Sequence, residues 1–259
     1  MAFLRHIPGT ELKVSALGLG TVKFGRDQSV KYSQQFTIPD DSEVTNLLAL
    51  ANSEGINLLD TAPAYGTSEE RLGKLLSNRQ DWVIVTKTGE EFEQGQSSFN
   101  FSGAHTRASI ERSLKRLNTD YLDIVLIHSD GNDEDILKNT DCVATLKQCQ
   151  QEGMIRAIGM STKTSNGGLL AASMLDIVMI TYNLEQQDQA VLDYARNNNK
   201  GVLVKKGLMS GHAGSIADSM SLLFGSNGIS SVIVGTINPD HLKENVKLAR
   251  AALGEIPGS

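Results

Sequence analysis

An α/β chain folded as a (β/α)8 barrel with an N-terminal β-hairpin is the fold class the sequence predicts. Three observations carry it. Eight short apolar runs recur along the 259 residues, most of them followed by a stretch with helical spacing of its apolar residues. The runs are continuous rather than alternating, as strands covered on both faces are. The chain length also suits a single barrel of this kind, which commonly takes about 250 residues.

Each element has its own signal. Residues 3–15, FLRHIPGTELKVS, read as a hairpin around Pro8-Gly9, a plug ahead of the first barrel strand. SALGLGT is followed by a loop and then by DDSEVTNLLALANSEG, where Asp40 and Glu43 have capping-box spacing and Gly55 stands where a helix would end. INLLD leads to TSEERLGKLL, with Thr67 and Glu70 again at capping-box spacing and Leu72, Leu75 and Leu76 on one face. WVIVTK precedes a Gly/Ser/Phe-rich loop and then TRASIERSLKRLN, striped by Ile110, Leu114 and Leu117. YLDIVLIH precedes CVATLKQCQQEG. IRAIGMS, DIVMITYN, GVLVKKG and SSVIVG supply four more strands, and NPDHLKENVKLARAAL closes the series with Pro239 near its start. An open doubly wound sheet is the rival architecture, and it calls for a glycine-rich nucleotide loop. GLGTVKF offers Gly18 and Gly20 but has Lys23 where the third glycine falls, and no helix starts there. One barrel domain over residues 1–259 is expected.

Bulk properties narrow the partners. A net charge of −6 and a pI near 5.4, with no basic stretch, argue against nucleic acid or an anionic membrane. No run approaches the roughly 18 apolar residues of a membrane span, and MAFLRHIPG lacks a secretory h-region. Cys142 and Cys149 lie seven apart on a predicted helix, about 10 Å along its axis, too far for a disulfide. A cytoplasmic protein acting on a small molecule, as a monomer or small homo-oligomer, is the expectation.

In such a barrel, chemistry comes from the C-terminal ends of the strands and the loops after them. Asp60 ends the second barrel strand, with Tyr65 five residues on; Lys87 ends the third and His128 the fourth. Singly, each is weak: a strand-end histidine is often structural, a rim lysine is usually solvated, and an Asp–Lys pair is often only an ion pair. Together they have a physical logic. A phenol, with a pKa near 10, is a poor acid at neutral pH. A nearby lysine cation stabilises phenolate, an aspartate holds that lysine in place, and a histidine can donate to a substrate oxygen. Such a set would protonate a carbonyl oxygen as hydride reaches the carbon. The hydride must come from a nicotinamide cofactor, because side chains carry none.

These segments resemble the aldo-keto reductases. LLDTAPAYG is similar to that family's signature around its aspartate and tyrosine, VTKTG to its lysine strand, and SLKRLNTDYLDIVLIHSD to the segment leading to its histidine. IGMS, TYN and VIVGTINPDHLKENV continue the match in order over nearly the whole chain. The resemblance implies Asp60, Tyr65, Lys87 and His128 as the catalytic tetrad. It implies cofactor contacts at Gly20, Thr21, Asp60, Ser161 and Thr162, the last two at the nicotinamide amide, where Thr162 replaces the usual asparagine. Met179 stands where a glutamine often lies under the nicotinamide, and VKKGLMSG where an aromatic platform is common. Lys205 and Lys206 could instead reach the pyrophosphate, with Gly207, Leu208 and Ser210 adding contacts. Gly235 and Thr236 fall at the phosphates, and Glu244 and Asn245 at adenine. His241 occupies a position often held by an arginine that pairs with the 2′-phosphate of NADP, and Lys243 is its neighbour. NADP(H) is the first expectation and NAD(H) the alternative.

The substrate side says less. Lys23, Phe24, Tyr32 and Phe36 lie on the first loop, and Phe92, Phe99 and Phe101 on the loop after Lys87. They can wall an apolar pocket or pack loops onto the barrel. No long C-terminal substrate loop follows the final helix, so an open site with broad carbonyl tolerance is expected. The reading is an oxidoreductase that reduces aldehydes or ketones to alcohols, reversibly. Its rival is a cofactor-binding redox sensor or regulatory protein on the same scaffold. A metal-dependent hydrolase is less favoured: five histidines with no HxH or HExxH spacing give no metal ligand set.

Overall fold

The computed structural model describes residues 2–30, 35–211 and 214–255. Tyr32 lies outside the described residues. The chain starts with an antiparallel hairpin of β1 (Leu4–His6) and β2 (Lys13–Ser15), with Leu4 opposite Ser15 and His6 opposite Lys13. Its turn holds Gly9 at φ +74°, pressed against the carbonyl of Asn199 so closely that a Cβ would overlap it.

The barrel follows. β3 (Leu17–Gly20), α1 (Asp41–Ser53), β4 (Leu58–Asp60), α2 (Ser68–Leu75) and β5 (Val83–Thr88) form its first part. After β5 come two short strands, β6 (Glu90–Glu93) and β7 (Gln96–Phe99), then α3 (Gly103–Arg116) and β8 (Leu122–His128). Next are α4 (Asp133–Asn139), α5 (Cys142–Gln151), β9 (Ile155–Ser161), α6 (Ser165–Met174), β10 (Ile177–Thr181) and α7 (Gln189–Asn197). β11 (Gly201–Lys205), α8 (Ile216–Gly225), β12 (Ser231–Val234) and α9 (Pro239–Ala252) complete the order. Eight strands close in the order β3-β4-β5-β8-β9-β10-β11-β12 and back to β3, all parallel. The predicted strands coincide with these eight to within a few residues.

Two apolar cores hold the barrel. Inside it, Leu58, Val85, Ile124, Leu126, Ile177, Met179 and Leu203 pack together, and Ile7, Leu12 and Val14 of the hairpin close one end. Between strands and helices runs the larger core, with Leu59, Ile84, Val125, Ile158, Val178 and Val204 facing Val44, Leu72, Ile110, Leu146 and Val246. Continuous apolar runs are the consequence, since alternate residues of one strand enter different cores.

Two local expectations met different outcomes. Asp40 caps α1 with the full reciprocal box: its side chain accepts from the Glu43 amide, and Glu43 accepts from the Asp40 amide. Thr67 does not cap α2 with its side chain. Glu70 instead pairs with Arg116 of α3 at 3.2 Å, so a tertiary partner takes the carboxylate that a box would use. The Gly/Ser/Phe-rich stretch after Lys87 is a β6–β7 hairpin, with Glu90 opposite Phe99 and a turn through Gln94 and Gly95, both at positive φ.

Candidate active site

Neighbouring strands deliver the candidate groups to one rim. Register sets Gly20 beside Asp60, Asp60 beside Val85, and Lys87 beside Leu126, so β4, β5 and β8 end side by side. The Thr21 amide and hydroxyl both donate to the Asp60 carbonyl at 2.9 Å, tying the end of β3 to β4. Tyr65 comes from a single 3-10 turn, Pro63–Tyr65, whose proline suits the first helical position. Directly after it, Gly66 sits at φ +61° with a Cβ site that would overlap the Gly25 carbonyl. A Cβ on Gly25 would in turn meet the Tyr65 carbonyl and the amides of Thr67 and Ser68. Glycine at both positions lets the loop after β3 lie backbone to backbone on the tyrosine turn.

Lys87 is 2% exposed, and its ammonium uses all three donors: to Asp60 Oδ1 at 2.7 Å, to the Thr61 carbonyl at 2.9 Å, and to the Tyr65 hydroxyl at 3.2 Å. The Tyr65 hydroxyl lies 3.5 Å from Asp60 Oδ2, long for a hydrogen bond. The His128 ring stands edge-on to Tyr65, with centroids 6.3 Å apart and planes at 84°. The structure therefore brings Asp60, Tyr65, Lys87 and His128 together at one point of the rim.

It also adds a residue that sequence reasoning missed. His128 Nδ1 lies 2.9 Å from Glu90 Oε2, short of hydrogen-bond geometry and an ion pair only when the imidazole is protonated. Ser97 donates to the other Glu90 oxygen at 2.7 Å, and Arg26 lies 3.8 Å from it. Burial alone would raise the Glu90 pKa, but contact with His128, Ser97 and Arg26 outweighs it and holds the carboxyl at about 2. His128 is shifted below the ordinary imidazole range, chiefly by desolvation and further by Lys87 and Lys205, with Glu90 opposing. Arg26 donates to the Ala64 carbonyl at 3.1 Å and stacks 3.4 Å over Phe92, so it links the tyrosine turn to the hairpin. A carboxylate three residues past the strand-end lysine, in TKTGEE, was the available signal.

A model of the Aldo/keto reductase family matches residues 16–220. The chain belongs to the aldo/keto reductase family. A crystal structure of a Pseudomonas aeruginosa protein, provisionally assigned as an aldo-keto reductase, is 54% identical with a TM-score of 0.90, covering 96% of this chain and 95% of that one. Aldo-keto reductase YhdN of Bacillus subtilis is 29% identical over 214 residues, 79% of this chain and 62% of its own. The NADH-specific methylglyoxal reductase of Escherichia coli is 30% identical over 224 residues, 78% of this chain and 67% of its own. Three further curated relatives are spanned over only 39–49% of their length.

The residues that the family resemblance assigns to cofactor spread around the same rim. Ser161 and Thr162 follow β9, both 3% exposed. Lys205, ending β11, donates to Ser161 Oγ at 2.8 Å and to the Thr162 carbonyl at 2.6 Å, so it joins the expected nicotinamide residues rather than a phosphate position. Lys206 is exposed, at φ +57°, and its carbonyl accepts from Asn183. Gly207 is buried and Leu208 half-buried, and the Ser210 side chain lies outside the described residues. Gly235 is exposed, and the Thr236 hydroxyl accepts from the Asn238 amide at 3.1 Å. On α9, His241 and Glu244 are exposed, while Asn245 is 6% exposed with no side-chain hydrogen bond among the described residues.

The candidate pocket aromatics divide. Phe24 is fully buried in the outer core, and Phe101 packs partly against it. Phe36 lies under the Lys23 ammonium, and Phe99 stacks on Phe101 with Lys163 over its face. A cavity of about 520 Å³ lined by residues 131–135 and 164–166 contains none of the four clustered groups.

Proposed function

We propose that this family member is a nicotinamide-dependent oxidoreductase that interconverts aldehydes or ketones and alcohols, with Tyr65 as general acid. The carrying observation is the contact set around Lys87: one ammonium touches both Asp60 and the Tyr65 hydroxyl. The cofactor, when bound, supplies hydride to the carbonyl carbon. Tyr65 gives its proton to the carbonyl oxygen, and the Lys87 ammonium 3.2 Å away stabilises the phenolate left behind. Asp60, 2.7 Å from the ammonium, keeps Lys87 aimed. His128, with Glu90 on Nδ1, has Nε2 left for the substrate oxygen: as imidazolium it donates to a carbonyl, and as the neutral Nδ1–H form it accepts from an alcohol.

The residues present suit a dinucleotide. Polar groups end β9, an exposed lysine and glycine-containing turns follow β11 and β12, and Asn245 of α9 makes no side-chain hydrogen bond among the described residues. Ser161 and Thr162 would hold the nicotinamide amide, Lys206, Gly207, Leu208, Ser210, Gly235 and Thr236 the phosphates, and Glu244 and Asn245 the adenine. Gly20 and Thr21 would line the ring. His241 and Lys243 would favour NADP(H). NAD(H) is the second candidate, and the E. coli relative is by name NADH-specific. The reading takes residues 1–259 as one barrel unit whose open rim accepts varied small carbonyls.

The test is oxidation of NADPH and NADH at 340 nm against aromatic, aliphatic and sugar aldehydes, with Tyr65→Phe alongside. Wild type should turn over and the variant should lose at least ~99% of kcat, the scale for removing a positioned acid, while cofactor Kd changes little. Equal turnover by the variant removes Tyr65 from its role. Tight cofactor binding with no turnover across the panel would favour the sensor reading, which the replaced amide contacts at Thr162 and Met179 make the natural second.

A further inference from the structure

We infer that Lys205 makes this protein discriminate between the two oxidation states of its nicotinamide cofactor, favouring the reduced form. The inference rests on the proposed placement of the nicotinamide at Ser161 and Thr162.

Lys205 ends β11, and its side chain crosses the end of β10 to reach β9, two strands away. Both of its acceptors, Ser161 Oγ and the Thr162 carbonyl, are neutral oxygens. Among the described residues no carboxylate lies within ion-pair distance of Nζ, whereas Lys87 at the same rim has Asp60 at 2.7 Å. The charges that act on Lys205 are mostly of its own sign: Lys206 beside it, Lys87 from β5 and Lys163 from the loop after β9, with Asp133 of α4 opposing. His128 of β8 faces the same group and feels it in return. Burial, then Lys206, bring the Lys205 amine down to about 7, with Lys87 and Lys163 adding to the shift. Asp133 opposes them from α4, the largest effect after burial and Lys206, and its carboxylate accepts from the amides of Lys163 and Thr164 and from the Thr164 hydroxyl.

A cofactor seated at Ser161 and Thr162 brings its ring to this under-compensated cation. The oxidised nicotinamide carries a full positive charge and the dihydronicotinamide carries none, while the rest of the dinucleotide is the same. Two like charges a few ångströms apart away from bulk water repel strongly. Protonated Lys205 therefore weakens the oxidised form alone, and deprotonation relieves the penalty. By linkage, binding of the oxidised form must also expel the proton from Lys205.

The experiment is calorimetric titration of the full chain with NADP⁺ and with NADPH at pH 6 and pH 9. The NAD pair is titrated in the same way, and Lys205→Met and Lys205→Arg are run beside wild type. In wild type the ratio of oxidised to reduced Kd should be about tenfold or more larger at pH 6 than at pH 9, the size expected of one poorly screened charge pair. The 2′-phosphate is common to both forms and cancels, and any His128 contribution survives in Lys205→Met. That variant should tighten the oxidised form and flatten the pH dependence. Lys205→Arg, charged throughout, should keep the high ratio at both pH values, and it carries the test even if the methionine variant misfolds. A wild-type ratio independent of pH, or equal pH dependence in wild type and Lys205→Met, overturns the inference while leaving the oxidoreductase reading intact. Failure of all four dinucleotides to bind overturns both.

Discussion

His128 sits among one carboxylate and two ammonium groups, and their balance sets what its ring can do. Glu90 favours the imidazolium, while burial, Lys87 and Lys205 oppose it. Replacing Glu90 by glutamine removes the only favourable charge among these, so the His128 pKa should fall further. An NMR titration of the His128 ring should therefore show its midpoint at lower pH in Glu90→Gln than in wild type; an unchanged or higher midpoint would contradict the pairing. The lost orientation should also reduce kcat/KM roughly tenfold, less than the ~100-fold or more lost with a group that itself transfers the proton. Asp60, Tyr65, Lys87 and His128 were legible because strand ends can be read from where apolar runs stop. Glu90 was not, and Lys205 was legible as a rim residue but not in its contacts. Glu90 reaches His128 only because the hairpin folds back over the rim, and the direction of Lys205 is set by acceptors two strands away.

Among the elements, the tyrosine turn depends on main-chain contact. Gly66→Ala would place a Cβ inside the Gly25 carbonyl at a φ that alanine avoids. A strained, overlapping position of this kind costs about 1–3 kcal/mol, and the chain would relieve it by moving Tyr65. Both thermal midpoint and kcat should fall, with kcat falling by ~100-fold, in line with the sensitivity of positioned groups to displacements near 1 Å. Wild-type kcat in a folded Gly66→Ala protein would show that the turn tolerates displacement. Helix starts were legible where local chemistry decides them, as at Asp40. The Thr67–Glu70 spacing misled because Arg116, distant in sequence, claims Glu70. The β6–β7 hairpin escaped notice because β7 is exposed throughout and carries no apolar face to read.

Across the molecule, the two cores divide the work. The inner core ends at the N-terminal hairpin, where Ile7 is fully buried against Gly201. Ile7→Ala should cost about 3 kcal/mol as a cavity opens there. In urea the unfolding midpoint should drop at unchanged m-value, with kcat preserved, since the hairpin precedes β3 and the reacting groups follow the strand C-termini. A kcat loss matching the stability loss would mean that the two ends are coupled. Barrel order was legible from the repetition of apolar runs, whereas closure and register belong to the folded chain. The Gly25–Gly66 contact has one more consequence. Because Tyr65 is fixed by backbone and Lys87 by strand ends, few side chains on the outer loops are needed to keep the reacting atoms in place. Under selection, a duplicated copy of this chain could therefore exchange its rim residues while inheriting the Asp60–Lys87–Tyr65 arrangement unchanged.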